Sequence, residues 1–291
     1  MRLAFLGTPD AAVPSLRALV TAGHDIAMVV TRPDRRRGRG GELTPSPVKV
    51  AATELGLRVG HGLSELEGLD VERGVVVAYG ALIPAAVLER LPMLNVHFSL
   101  LPRWRGAAPV ERAILAGDEE TGVAVMSLEA ELDTGPVHLE RRVSVDGKTA
   151  SQLTGELATL GAEALVEVLA TPELLDTPRV QQGEATYARK LTKETFHLVP
   201  SMPRELLLRT VRLERAFTFV NGRRVRVLRA HAVEGAPHEP GSLVAGAGGV
   251  ALVGADGSIG LDQVQPDGGR PMTGWSWWTG ARLDHDTVRW T

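Results

Sequence analysis

The chain has 291 residues, 44% hydrophobic and 23% charged, with a formal net charge of −3. This length fits two domains with a sizeable core, and the near-neutral balance excludes an overall basic field, so any contact with a polyanion rests on local patches. There is no cysteine, which excludes disulfides, thiolate nucleophiles and cysteine zinc sites; the 8 histidines are scattered without metal-binding spacing, so no metal is expected.

Residues 3–6 form a short apolar run ending in Gly7-Thr8-Pro9-Asp10, after which Val13, Leu16, Leu19 and Val20 recur at helical spacing up to Gly23. This reads as strand, turn and helix. The run is too short for a secretory signal and Asp10 breaks its apolar character, so a cytoplasmic protein without a membrane segment is expected. The turn lacks the further glycines of a dinucleotide fingerprint and is read as one that opens a helix. Residues 26–30 form a second strand. The stretch Thr31-Arg32-Pro33-Asp34-Arg35-Arg36-Arg37-Gly38-Arg39-Gly40-Gly41 reads as too irregular for helix or strand. It is either a solvated charge run or a mobile, phosphate-seeking loop over the binding crevice.

Residues 48–55, closed by Gly56, form a second helix, and the continuous apolar run 75–78 fits a parallel strand buried on both faces. Strands are expected at 94–98 and 122–128, with a helix around 110–116 between them. The alternation gives an open, mostly parallel sheet flanked by helices, with its crevice beyond the strands' carboxyl ends. Gly7-Thr8-Pro9, the loop from Thr31, Tyr79-Gly80, residues 95–99 and Leu132-Asp133-Thr134-Gly135 are expected to converge there. Residues 153–169 form a periodic helix, the polar run 181–184 leads into 187–193, and Pro200 and Pro203 mark a linker. Short alternating runs come next at 217–220, 225–228, 250–253 and 259–264, with Asn221-Gly222 as a hairpin turn. They fit a small OB-like β-barrel. The organisation is therefore a catalytic domain over 1–190, a linker over 191–203 and a C-terminal β-barrel domain over 204–291.

The most informative segment is Asn95-Val96-His97-Phe98-Ser99-Leu100-Leu101-Pro102-Arg103-Trp104-Arg105-Gly106-Ala107-Ala108-Pro109. Alternation along an extended chain puts Asn95, His97 and Ser99 on one face and Val96 and Phe98 on the other. Three polar side chains facing one way line a pocket or tie down the adjoining loop; an amide and an imidazole N–H also suit a developing oxyanion. His97 then needs an orienting partner, and Asp133 is the candidate, unless it only shapes its turn. Ser99 lacks the Gly-x-Ser-x-Gly surroundings of a hydrolase nucleophile. A second arginine cluster spans Arg204 to Arg229. Arg224 and Arg226 share one strand face, which is either a backbone-phosphate contact or a solvated sheet surface. Trp275, Trp277 and Trp278 are read chiefly as closing a small core, with base stacking as the other use.

These residues resemble the methionyl-tRNA formyltransferases. The likeness is carried by the 95–109 segment, Leu132-Asp133-Thr134-Gly135, Gly7-Thr8-Pro9-Asp10, Arg32-Pro33-Asp34, Gly38-Arg39-Gly40, Pro45-Ser46-Pro47-Val48 and Val77-Ala78-Tyr79-Gly80-Ala81-Leu82-Ile83-Pro84. The Asn-x-His-x-Ser core and the later Asp are shared with the wider group that uses 10-formyltetrahydrofolate. The resemblance implies formyl transfer from that donor, without metal, to the α-amino group of initiator methionyl-tRNA, by a monomer. Asn95 and His97 would stabilise a tetrahedral oxyanion, with Asp133 assisting. It places the folate against Tyr79, Gly80, Ala81, Leu82, Ile83, Val87, Ser99, Leu100, Leu101 and Pro102, and the tRNA acceptor end against Arg35, Arg36, Arg37, Arg39 and Gly40. Phe196-His197-Leu198 and 211–215 depart from the family pattern. They keep open a paralogue acting on another amine, such as an amino sugar, or a formyl-folate hydrolase.

Overall fold

A computed structural model of the protein describes residues 1–37, 41–234, 239–246, 249–281 and 288–291, with only the backbone of Arg37. The chain forms two compact units: Met1–Val110, Glu119–Ser144 and Leu153–Arg189 make one, and Glu111–Asp118, Val145–Gln152 and Lys190–Thr291 the other.

The first unit opens with β1 (Arg2–Gly7), α1 (Val13–Thr21) and β2 (Asp25–Val30), followed by a short hairpin of β3 (Arg35–Arg37) and β4 (Glu42–Thr44). Then come α2 (Pro47–Glu54), β5 (Val59–Gly60), β6 (Arg73–Val77), the single turn α3 (Ala85–Leu88), β7 (Met93–His97) and the two-residue β8 (Arg105–Gly106). Helix α4 (Pro109–Ala116), most of which belongs to the other unit, precedes β9 (Glu120–Ser127) and β10 (Val137–Ser144); α5 (Ala150–Ala170), α6 (Pro172–Asp176) and β11 (Tyr187–Ala188) complete the series. Seven strands form one sheet in the order β10-β9-β7-β6-β1-β2-β5. The five strands from β7 to β5 are parallel, and Leu3, Ala4, Phe5 and Leu6 of β1 are wholly buried, as expected of a strand covered on both faces. β9 runs antiparallel to β7, and β10 antiparallel to β9.

The arginine stretch is not irregular throughout. Arg35, Arg36 and Arg37 pair with Thr44, Leu43 and Glu42, and Gly41, just before β4, is left-handed with φ 64°. Gly38, Arg39 and Gly40 lie outside the described residues. Helix α2 starts where Ser46 accepts a hydrogen bond from the Lys49 N–H at 3.0 Å, a cap that satisfies one of the helix's orphan donors.

In the second unit, α7 (Arg204–Val211) precedes β12 (Phe217–Val220), β13 (Arg223–Val233), β14 (Leu243–Gly246), β15 (Gly249–Val253), β16 (Ser258–Pro266), β17 (Met272–Thr273) and α8 (Gly274–Ala281). These strands form an antiparallel sheet in the order β12-β13-β16-β15-β14, with β17 on β16. Two neighbouring residues connect its two edges: Trp290 bridges Val220 at the end of β12, and Arg289 bridges Ser242 before β14. Trp290, only 1% exposed, shares the enclosed core with Trp277 and Trp278, whereas Trp275 is half exposed. The tryptophan group thus serves mainly as core.

Close packing on α5 holds β7 in place. A Cβ added at Gly161 would stand 2.6 Å from a Val96 methyl and 3.0 Å from Val123, so glycine is needed for the approach. The Gly161→Val variant is expected to lose about 1–3 kcal/mol of stability through overpacking, read as a lower denaturant midpoint at unchanged slope.

His138 is buried, with Nδ1–H donating to the Leu174 carbonyl at 2.9 Å and Nε2 accepting from the Ser127 hydroxyl at 2.8 Å. Burial lowers its pKa below the ordinary 6.5, although the Leu174 bond opposes the shift. The unfolded chain therefore takes up this proton at a higher pH than the folded one, and stability falls as pH drops below about 6.5. His138→Gln is expected to show a shallower decline than the parent chain over that window, measured by unfolding at stepped pH.

Candidate active site

The parallel register sets Val76 of β6 opposite Asn95 of β7, which brings the ends of these two strands side by side. Asn95, His97 and Ser99 are all buried. Val96 lies toward α5, on the opposite face. The alternation expected from the sequence therefore holds. The Asn95 carboxamide, 9% exposed, makes no hydrogen bond among the described residues. Ser99 Oγ donates to the Arg103 carbonyl at 2.5 Å, so its hydroxyl closes the loop after β7.

His97 is held from both sides. Its Nε2 lies 2.9 Å from the Trp104 carbonyl oxygen; a carbonyl only accepts, so Nε2 carries the proton. Nδ1 then faces Asp133 Oδ2 at 3.7 Å, beyond a hydrogen bond but within the distance that closes when a catalytic site engages its substrate. The neutral ring thus has no free N–H, and any donation to an oxyanion requires a proton on Nδ1. Asp133 Oδ2 also accepts from the Gly106 N–H at 2.7 Å. That bond fixes the carboxylate without neutralising it.

The approach depends on unusual backbone. Ala78, Trp104 and Asp133 have φ of 47°, 61° and 53°, and Gly106 has 116°; left-handed non-glycine residues concentrate at functional sites. A Cβ on Gly106 would meet the Ala188 carbonyl oxygen at 2.9 Å. β9 leaves the sheet with Ser127 opposite Leu94, at the far end of β7 from the catalytic loop. Residues 128–136 must therefore run back to bring Asp133 to His97, which an all-parallel sheet would not have required.

Segment 179–188 borders both groups. Gln181 Nε2 donates to the Asp133 and Gly135 carbonyls at 2.9 and 2.8 Å, and its Oε1 accepts from Arg105 Nε and Nη2 at 3.1 and 2.6 Å. Thr186 Oγ1 accepts from the Trp104 N–H at 2.9 Å, and β11 pairs with β8. Sequence reasoning passed over Gln181 as part of a polar run. It also missed the Trp104 carbonyl and the Gly106 N–H, since every residue offers such groups; only the glycine hinted at the latter.

Of the residues read as a folate wall, Tyr79 is buried in the core, Ile83 and Val87 are partly buried against it, and Leu82 is 83% exposed beside exposed Gly80 and Ala81. Leu101 joins a core cluster with Ala124, Met126 and Val137, while Leu100 and Pro102 are partly buried. A separate cleft of about 220 Å³ lies at the ends of β1, β2 and β6, lined by Thr8, Pro9, Arg32, Pro33, Arg35, Thr44, Ser46 and Ala78 to Gly80. Thr8 Oγ1 donates to the Tyr79 carbonyl at 2.9 Å, and Ser46 and Thr31 share a hydroxyl bond at 2.7 Å. Asp34 is paired with Lys49 at 2.8 Å, whereas Arg32 Nε is buried without a partner. Burial raises the Tyr79 phenol pKa and the Arg32 charge opposes it. The cleft is therefore left positive. Arg36 is exposed and reaches the Gly41 carbonyl at 3.1 Å; among the described residues read as a tRNA loop, only Arg35 lines the cleft. Among the described residues no cluster of His, Cys, Asp or Glu is arranged to hold a metal, and no helix is long and apolar enough to cross a membrane.

Residues 1–169 match the formyl transferase family and residues 190–282 the formyl transferase C-terminal domain. The methionyl-tRNA formyltransferase of Novosphingobium aromaticivorans is 48% identical over 84% of this chain and 85% of its own length. That of Rhizorhabdus wittichii is 44% identical over 94% of this chain and 93% of its own. Among solved structures, WlaRD, a sugar 3N-formyl transferase crystallised in the presence of dTDP and 5-N-formyl-THF, superposes with a TM-score of 0.68 at 14% identity, covering 91% of this chain and 97% of that one. At that identity the likeness shows a shared fold. Matched along both of its units, the chain belongs to the formyl transferase family.

Proposed function

We propose that the protein transfers the formyl group of 10-formyltetrahydrofolate to the α-amino group of initiator methionyl-tRNA. The observation that carries this reading is the buried meeting of Asn95, His97 and Asp133, with an unpartnered carboxamide and an imidazole whose Nδ1 faces a carboxylate. The relatives named methionyl-tRNA formyltransferase, similar over nearly the whole chain, support the choice of acceptor. The half-buried to exposed run from Gly80 to Ile83 offers a backbone edge and apolar side chains to a flat pterin ring, with Val87, Ser99, Leu100, Leu101 and Pro102 bordering it. The 10-formyl carbon would then be presented to the buried cluster.

The neutral amine attacks that carbon; a C–N bond forms and the carbonyl oxygen gains charge. Asn95 donates its free N–H to this oxygen. His97 Nδ1 takes the proton released by the amine, and the fixed Asp133 charge stabilises the imidazolium. The proton then passes to the departing folate nitrogen as its bond to carbon breaks, releasing tetrahydrofolate and the N-formyl product. Arg32 and Arg35 supply unpaired positive charge for the phosphates of the acceptor end, and Arg36, Arg37, Arg39 and Gly40 extend that contact. No metal enters the scheme, and the protein acts as a monomer in the cytoplasm.

Purified protein given 10-formyltetrahydrofolate and charged initiator tRNA is expected to yield formyl-methionyl-tRNA. Formation of product only with a nucleotide-linked amino sugar, or release of formate with no amine present, would replace this reading by the corresponding one. His97→Ala and Asp133→Asn are each expected to lower kcat by roughly a hundredfold or more with unchanged circular dichroism. Arg32→Ala should raise the KM for methionyl-tRNA by about tenfold, as for loss of one charged hydrogen bond, and leave the KM for the folate unchanged. An equal effect on both substrates would argue against a phosphate contact.

A further inference from the structure

Gln181 lies outside the Asn95, His97 and Asp133 cluster, yet its side-chain amide joins the two pieces of chain that hold His97. Asp133, which faces Nδ1, sits on one piece; Trp104, whose carbonyl holds Nε2, and Gly106, whose N–H holds the carboxylate, sit on the other. The amide of Gln181 donates both protons to the Asp133 and Gly135 carbonyls at 2.9 and 2.8 Å. Its oxygen takes the Arg105 guanidinium through Nε and Nη2 at 3.1 and 2.6 Å. Only one orientation of the amide satisfies both sides, since carbonyls cannot donate and a guanidinium cannot accept. The donor end restrains a turn whose key residue is left-handed, with φ 53°, and the acceptor end restrains the residue between Trp104 and Gly106.

We infer that Gln181 is a positioning residue for formyl transfer: it sets the separation between the Asp133 carboxylate and the His97 ring by bracing the Asp133 turn against β8. This rests on the functional reading above. Neighbouring ties supply stability in its absence: Arg179 exchanges backbone hydrogen bonds with Val137, Thr186 accepts from Trp104, and the Ala188 carbonyl accepts from Ala107 and Ala108. Loss of Gln181 therefore loosens the carboxylate while leaving the strap attached.

The test compares the unmodified protein with Gln181→Glu, which keeps shape and the Arg105 contact but loses both donors, and with Gln181→Ala, in the methionyl-tRNA assay. Both variants are expected to lose about ten- to a hundredfold in kcat, as when a catalytic group is misplaced by about 1 Å, while KM for either substrate stays within about twofold and the thermal midpoint is nearly unchanged. In an Asp133→Asn background, Gln181→Glu should cost nothing further, since it acts through that carboxylate. Absence of formyl transfer by the unmodified protein would overturn the functional reading and this one together. Transfer by the unmodified protein overturns the role of Gln181 alone if kcat of the variants stays within twofold, if the loss appears in KM or thermal stability instead, or if it adds fully to that of Asp133→Asn.

Discussion

The site depends on a single restrained imidazole. His97 is tied through Nε2 to the Trp104 carbonyl, which settles where its proton sits and leaves the other nitrogen facing a carboxylate across 3.7 Å. A carboxylate at that position pairs with a proton carried on Nδ1, so the geometry suits the imidazolium formed when the ring takes up a proton during reaction. It persists because Gly106 holds the carboxylate from the other side and because left-handed Trp104 and Asp133, each costing on the order of 1 kcal/mol, are braced by segment 179–188.

The sheet supplies the rigid base. Closely packed β7, with Val96 against the bare face of α5 at Gly161, leaves Asn95 and His97 no freedom to exchange faces, because a slip of one residue would turn both into the opposite layer. The connection between the antiparallel strands β9 and β10 completes the wall by returning Asp133 to the cluster. Positive charge is concentrated locally despite the net charge of −3. Several arginines of the second unit are engaged with their own surroundings: Arg224 lies over Phe217, Arg226 binds Gln265, and Arg212 binds the Val145 and Lys148 carbonyls. Arg32 and Arg35 have no such partner among the described residues, so a count of arginines misplaces where anion affinity resides.

The sheet strands and the Asn95, His97, Ser99 face were legible in the sequence because a two-residue period and a fully apolar run each leave a direct imprint. Helix α2 was equally legible, since Ser46 and Pro47 mark its start and Gly56 follows its end. The reverse run of β9 was not, because apolar content is the same in either direction. The β3 and β4 hairpin escaped because its residues are arginines rather than β-branched side chains, and its pairing is backbone chemistry. The remaining gaps share that cause: the Trp104 carbonyl, the Gly106 N–H and the Gln181 amide matter through position, and nothing in their residue types announces it.

The bridges from Arg289 to Ser242 and from Trp290 to Val220 make this pair of residues the last stave of the second unit. The unit therefore completes its ring of hydrogen bonds only through residues far along the chain from β12. Without these two residues the flanks of β12 and β14 would stand open, with the slot for Trp290 unfilled, and would present the kind of raw margin on which a second copy can pair. Closure of this unit is thus tied to contacts between residues far apart along the chain.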